Sequence, residues 1–353
     1  MRAAKGGVIA PALRLLLGAL LLFAGGAASA TTYTVTADRD SWINQSSATQ
    51  NNGTATTLRA TATNGNTQLT RSLIGFTLPS IPSNETITGA TLKLVVTTSG
   101  TKTVTVNRLT ASWVETTVTW SNFATTNFNV TAEASFTPSV SGATISVDVT
   151  ALVQGWQAGT FTNNGLGLIG AAGSNAQFAS SEATTTANRP QLVITTALIS
   201  PSLTMVKSSG VVSDPRNGST NPKAIPGATV RYTVSVSNST AGTADSNVFT
   251  DAVPTGMKLF VGDAGGAGSG PVVFTNGATS SGLTYSYVNL ASTTDSLSFS
   301  KDGGVTFTYT PVPDASGYDS AVTHVRVSPS GSFAGKTGAS SPSLTFQMLM
   351  QVK

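Results

Sequence analysis

The chain of 353 residues has only 10% charged residues, no cysteine and a single histidine, His324. Ser, Thr, Gly and Asn dominate, and Val, Ile and Leu fall in short alternating runs, the composition of an exported all-β protein that nothing staples covalently. The 19 basic residues exceed the 15 acidic ones by four, but three of the basic residues sit in the first 14 positions, so the remainder is nearly neutral and a nucleic-acid partner loses its electrostatic support.

Residues 1–30 read as a secretory signal. Arg2, Lys5 and Arg14 form the basic region, Leu15–Phe23 the apolar run, and Ala28-Ser29-Ala30 the small residues of a cleavage site. The run is too short for a membrane span, and no later stretch competes with it. The expected location is outside the cell, secreted or held at the cell surface.

From Thr31 the alternation of Tyr33, Val35 and Ala37 predicts a strand that ends in the polar loop Asp38-Arg39-Asp40. Asn51-Asn52-Gly53 is a turn signal. Arg71–Leu78 is apolar on both faces and reads as a central strand. Ile87–Val96 and Thr103–Leu109 add two more strands. Ser112–Trp120 then places two of the four tryptophans within nine residues. In a straight strand Trp113 and Trp120 would point to opposite faces, so either the chain turns or bulges between them or one indole stays outside. Ile145, Val147 and Val149 share a strand face. Thr150 as cap, Leu152, Val153 and Trp156 at helical spacing, and Gly159 as terminator predict one short helix. Leu166–Ile169, Phe178–Glu182 and Gln191–Thr196 close a two-sheet sandwich, expected to be a jelly roll.

The second half begins after Ser200-Pro201. Leu203–Lys207 is a short strand and Asp214–Pro226 a turn-rich insert. In Ala228–Val236 the apolar residues Val230, Tyr232, Val234 and Val236 share one side. His324 alternates with Val325 and Val327 and is read as a surface strand residue, which leaves no nucleophile–histidine device in the first half.

Read together, the motifs Ala-Asp-Arg-Asp (37–40), Asn-Asn-Gly (51–53), Arg-Ser-Leu-Ile-Gly-Phe (71–76), Ser-Trp-Val-Glu (112–115), Val-Asp-Val-Thr-Ala-Leu-Val-Gln-Gly-Trp (147–156), Ser-Ser-Glu (180–182) and Arg-Pro-Gln-Leu (189–192) resemble the DNRLRE domain, also grouped as carbohydrate-binding module family 96. The resemblance implies a secreted β-sandwich that binds alginate-like polyuronates beside polysaccharide-degrading enzymes, with structural calcium in some relatives. It also favours a turn near Glu115–Thr117, with both indoles packed and Glu115 a turn-stabilising acceptor. Asn-Pro-Lys-Ala-Ile-Pro-Gly-Ala (221–228), Val-Arg-Tyr-Thr-Val (230–234), Thr-Asp-Ala-Val-Pro (250–254) and Lys-Asp-Gly-Gly (301–304) resemble the DUF11 repeat, which implies an Ig-like sandwich with a spacing or adhesive role. The expected organisation is a signal over 1–30, a jelly roll over 31–197 and an Ig-like β-sandwich over 198–353.

Candidate sites follow from residue chemistry. Guanidinium forks match carboxylates, and Arg39, Arg59, Lys93 and Arg108 are the candidate contacts to an acidic polysaccharide. Lys93 and Arg108 are expected on neighbouring strands of one sheet face, and Trp42 as an exposed stacking ring. Arg71 and Arg189 are equally suited to ion pairs or ligand contacts. Asp38, Asp40, Asn52 and Glu182 are the candidate calcium ligands. The expected function is non-catalytic polysaccharide binding. The rivals are a structural or adhesive protein with cell-surface or matrix partners, and a polysaccharide lyase using Tyr33 with Arg71.

Overall fold

The computed structural model describes residues 30–65, 68–123 and 125–353. Apart from Ala30, the export signal lies outside the described residues. The described chain divides into two compact units that meet between Leu198 and Ile199.

The first unit contains β1 (Ala30–Thr36), β2 (Arg39–Asn44), β3 (Thr57–Thr61), β4 (Thr70–Gly75), β5 (Glu85–Thr98), β6 (Val104–Arg108), β7 (Ala134–Phe136), β8 (Thr144–Asp148), α1 (Thr150–Gln157), β9 (Leu166–Gly170), β10 (Asn175–Ala179) and β11 (Gln191–Leu198). They form two antiparallel sheets, as the alternating patterns predict. The first runs β1-β11-β5-β10-β3 with β8 also paired to β5; the second runs β2-β4-β9-β6-β7. Leu92, Leu94 and Val96 of the first sheet meet Ile74, Val106 and Leu168 of the second in a shared core, which α1 closes with Leu152, Val153 and Trp156. A bulge opposite Thr195/Thr196 shifts the register of β5, so Ile87 and Ala90 both point inward although their spacing is odd.

Thr150 does not cap α1. It is the first helical residue, and its amide donates to Asp148 Oδ1 at 2.9 Å, while its hydroxyl accepts from the amide of Ala90 at 2.8 Å. Gly159 at φ +70° ends the helix as expected.

The second sheet is apolar on both faces. Ile74 enters the main core, while Leu73 and Ile43 point the other way into a separate cluster with Leu109, Trp113, Val118, Phe123 and Phe128. The segment 109–128 thus lies over the outer face of the sheet as a flap. The chain does turn at 115–117: the amides of Thr117 and Val118 both donate to the carbonyl of Val114. Trp113 is buried and donates from Nε1 to the Asn164 carbonyl at 2.9 Å; Trp120 is half-buried against the same cluster.

The second unit comprises β12 (Leu203–Ser213), β13 (Thr229–Asn238), β14 (Phe249–Ala252), β15 (Met257–Phe260), β16 (Val273–Asn276), β17 (Leu297–Ser300), β18 (Tyr318–Asp319), β19 (His324–Val327) and β20 (Ser343–Val352). A sheet ordered β12-β13-β20-β15-β18, with β16 also paired to β20, faces the three-stranded sheet β14-β19-β17. Val234, Phe346 and Met348 of the larger sheet pack against Phe249, Phe299 and Val325 of the smaller. Lys207 on β12 and the buried Asp251 on β14 join the two sheets through an ion pair of 2.6 Å. His324 lies half-buried at the start of β19.

Because Trp113 anchors the flap, Trp113→Ala is expected to destabilise the first unit by about 3–5 kcal/mol, the usual cost of truncating a buried aromatic. A thermal melt of the variant checks this, and an unchanged first transition would contradict the anchoring role.

Candidate functional site

Three carboxylates converge where β2, the flap and the segment after β10 meet. Asp40, on β2, is 1% exposed. Its Oδ2 accepts from the amide of Ser181 at 2.6 Å, and its own amide donates to Glu115 Oε1 at 2.6 Å. Glu182 Oε1 accepts from the Ser181 hydroxyl at 2.8 Å, while its Oε2 is buried without a partner. Ligand oxygens of Asp40, Glu115 and Glu182 all lie within 4.8 Å of one another.

The Asn51-Asn52-Gly53 turn holds Glu115 in place. Asn51 Nδ2 donates to the carbonyls of Glu115 (2.7 Å) and Val118 (2.8 Å). Gly53 is required here: a Cβ on it would stand 2.4 Å from the Glu115 carbonyl oxygen.

Burial pushes the Asp40 carboxyl up to about 8, with the charge of Glu182 adding to the rise and the Ser181 amide opposing it. Burial also raises Glu115, with a further contribution from Glu182. Like charges this close cannot all ionise without a counter-charge. An all-oxygen set of three carboxylates fits a hard divalent cation such as calcium, and the unpartnered Glu182 Oε2 leaves a lone pair for one.

This cluster corrects the ligand set read from the sequence. Asp40 and Glu182 are brought together, but Asp38 turns away to Arg39 (2.9 Å) and to the Thr77 hydroxyl (2.5 Å). Asn52 spends its amide on the carbonyl of Trp42 at 2.8 Å and braces β2. Glu115, read as a turn acceptor, supplies the third carboxylate. Only tertiary contact carries that information, since Glu115 lies 75 positions from Asp40.

The cationic candidates are dispersed. Trp42 is not an exposed platform: β2–β4 pairing sets it opposite Ser72 on the inward side, it is 6% exposed, and the Arg59 guanidinium covers its ring at 4.5 Å. Arg39 pairs with Asp38 and lies 5.3 Å from the Trp113 ring. Arg108 pairs with Glu133 at 3.4 Å and stacks on Phe161 at 3.9 Å. Lys93 and Arg108 share no face, because β5 belongs to the first sheet and β6 to the second; Lys93 points outward between Gln191 and Ser146.

Arg71 and Arg189 form no ion pair among the described residues. Arg189 Nε donates to the Ala183 carbonyl at 3.1 Å. The Arg71 guanidinium rests against Phe128 (5.0 Å) and Trp120 (5.7 Å), and one of its N–H groups reaches the Thr125 carbonyl at 3.4 Å. Tyr33 and Arg71, imagined as a lyase pair, lie on different sheets, and the Tyr33 hydroxyl faces Glu85.

The carboxylate cluster makes stability depend on pH. The folded-state value for Asp40 lies above its unfolded value of about 4, so protonated Asp40 favours the fold. That contribution is complete below about pH 4 and is lost as the pH climbs through about 8. With chelator present, the melting temperature of the first unit should fall across this interval. Asp40→Asn should flatten the fall, and calcium should raise the melting temperature of the wild type at pH 8 but not of the variant.

Among known proteins, no curated sequence matches the chain significantly. Residues 31–196 match the family model described as carbohydrate-binding module family 96. These residues are the sandwich that carries the carboxylate cluster and the stacked arginines. The first unit is therefore a domain of carbohydrate-binding module family 96, and that membership implies that it binds carbohydrate.

Proposed function

We propose that the protein is a secreted, non-catalytic polysaccharide-binding protein, retained at the cell surface or in a matrix, whose first unit recognises acidic, alginate-like chains. The supporting observation is that guanidinium groups of this unit lie on aromatic rings, and two of them, Arg59 and Arg71, have no carboxylate partner among the described residues. A ring beneath a guanidinium fixes its plane and leaves its N–H edge to a planar anion. A uronate carboxylate is such an anion, and it takes two parallel hydrogen bonds from one fork.

A calcium ion held by Asp40, Glu115 and Glu182 would supply charge neutralisation and tie β2, the flap and the 180–182 segment together. Its role in this reading is structural, since it fixes the flap whose rings carry Arg39 and Arg71. The second unit serves as an Ig-like spacer of the DUF11 kind. The rival assignment, an adhesive surface or matrix protein without glycan specificity, makes the opposite prediction about acidic and neutral glycans.

Affinity electrophoresis of the whole protein through gels containing alginate, polygalacturonate or a neutral glucan tests the reading. Retardation is expected in the acidic gels, weakening several-fold as salt shortens the Debye length from about 10 Å to about 3 Å. Equal retardation by neutral glucan, or none by any acidic chain, would overturn it. Unsaturated ends accumulating in alginate would show lyase activity instead.

A further inference from the structure

Beside Arg71 the surface opens where the end of β3, the start of β4 and the end of β9 come together. The opening is a cavity of about 220 Å³ lined by Thr61, Leu69, Thr70 and Arg71 on one side and by residues 169–172 on the other. Drug-sized ligand pockets run to about 300–1,000 Å³, so this one suits a single sugar residue of a longer chain. No carboxylate lines it.

Among the described residues of that lining Arg71 is the one charged group, and its state is unusual. Its Nε is buried and has no partner among the described residues, and of its five N–H donors one makes a contact with a described residue, the 3.4 Å approach to Thr125. Packing against Trp120 and Phe128 restricts the side chain, so little rotamer freedom remains to be lost when an anion arrives. A half-buried cation without a counter-ion is held at a cost that an entering anion would relieve. Burial also lowers the basicity of the group, the sign expected of an uncompensated cation.

The rest of the rim suits a saccharide. Thr61 and Thr70 bring polar hydroxyls to the lining, hydrogen-bonded to each other at 2.9 Å. Gly170, at the end of β9, lets that strand approach β3 closely, since a Cβ there would stand 2.2 Å from the carbonyl oxygen of Ala60. Lys102, exposed, reaches the adjoining turn, with its Cε 3.5 Å from where a Gly173 Cβ would stand. A second cation therefore lies beside the turn that follows the lining residue Ala172.

We infer that this cavity is a carboxylate-reading subsite, in which the Arg71 fork takes the carboxylate of one uronate residue while Lys102 faces the next charge along the polysaccharide. The inference rests on the polysaccharide-binding reading above and narrows it to one place on the surface.

The test uses the whole protein and titrates alginate oligomers calorimetrically, with a neutral glucan oligomer in parallel. Ala171 and Ala172 are exposed at the rim, so a side chain at 172 can be changed without touching a core. Ala172→Glu should weaken alginate binding at least about tenfold by setting a competing carboxylate beside Arg71, whereas the uncharged Ala172→Gln should change it less than about threefold. Arg71→Lys, which keeps the charge but loses the fork, should also weaken binding with the melting temperature retained. Wild-type binding of alginate that survives both Ala172→Glu and Arg71→Lys would overturn the subsite and leave the general function standing. Absence of alginate binding by the wild type would remove both. Neutral glucan bound as tightly as alginate, and equally sensitive to Ala172→Glu, would reject carboxylate recognition in favour of a neutral-sugar site.

Discussion

A sheet that is apolar on both faces must be covered twice, and in the first unit that requirement organises everything else. One face of the second sheet meets the first sheet in the ordinary way. The other carries Ile43, Leu73 and Ile169, which without cover would be an exposed apolar strip. The flap buries them, and its docking delivers three things at once. Trp113 arrives beneath Arg39, Trp120 and Phe128 arrive against Arg71, and Glu115 arrives beside Asp40. The chemistry of this unit is a by-product of how its second apolar face is closed.

The charges left by that closure are segregated. Asp40, Glu115 and Glu182 meet at the junction of β2, the turn at 115–117 and the segment 180–182, while Arg59, Arg71 and Arg108 lie over aromatic rings elsewhere on the unit. Arg39 comes nearest to linking the two groups, since its positive charge opposes the rise of the Glu115 carboxyl. No arginine pairs with Asp40, Glu115 or Glu182 among the described residues, and none of the described carboxylates pairs with Arg71; in the proposed reading the first set would take a hard cation and Arg71 an anionic sugar.

Much of the fold can be read from local pattern. The apolar run Arg71–Leu78 signals a doubly buried strand, and Leu152, Val153 and Trp156 signal a helix whose face meets the core; the parity of Trp113 and Trp120 leaves a turn, a bulge or an exposed indole open, and the family resemblance favours the turn. The site is less legible because its members meet only through long-range pairing. Trp42 has few apolar neighbours in sequence, yet β2–β4 register places it inward under Arg59. Asp38 and Asp40 look equivalent along the chain, but they straddle the start of β2, and only Asp40 points to Glu182 and Glu115. Lys93 and Arg108 look like neighbours until β5 and β6 fall in different sheets.

The flap has a kinetic consequence as well. Between β6 and β7 the described backbone forms turns, one 3₁₀ turn and a single bridge between Leu109 and Phe128, with no ladder of its own. Its stability is borrowed from the sheet beneath it, which places it among the first parts to lift in a sub-global opening. Such an opening would disperse the acid cluster and free Arg71 from both rings while the sandwich core stayed intact. A ligand at either place would act on the same opening equilibrium, because occupying one would hold down the flap that builds the other, and amide exchange within 109–128 would report on both.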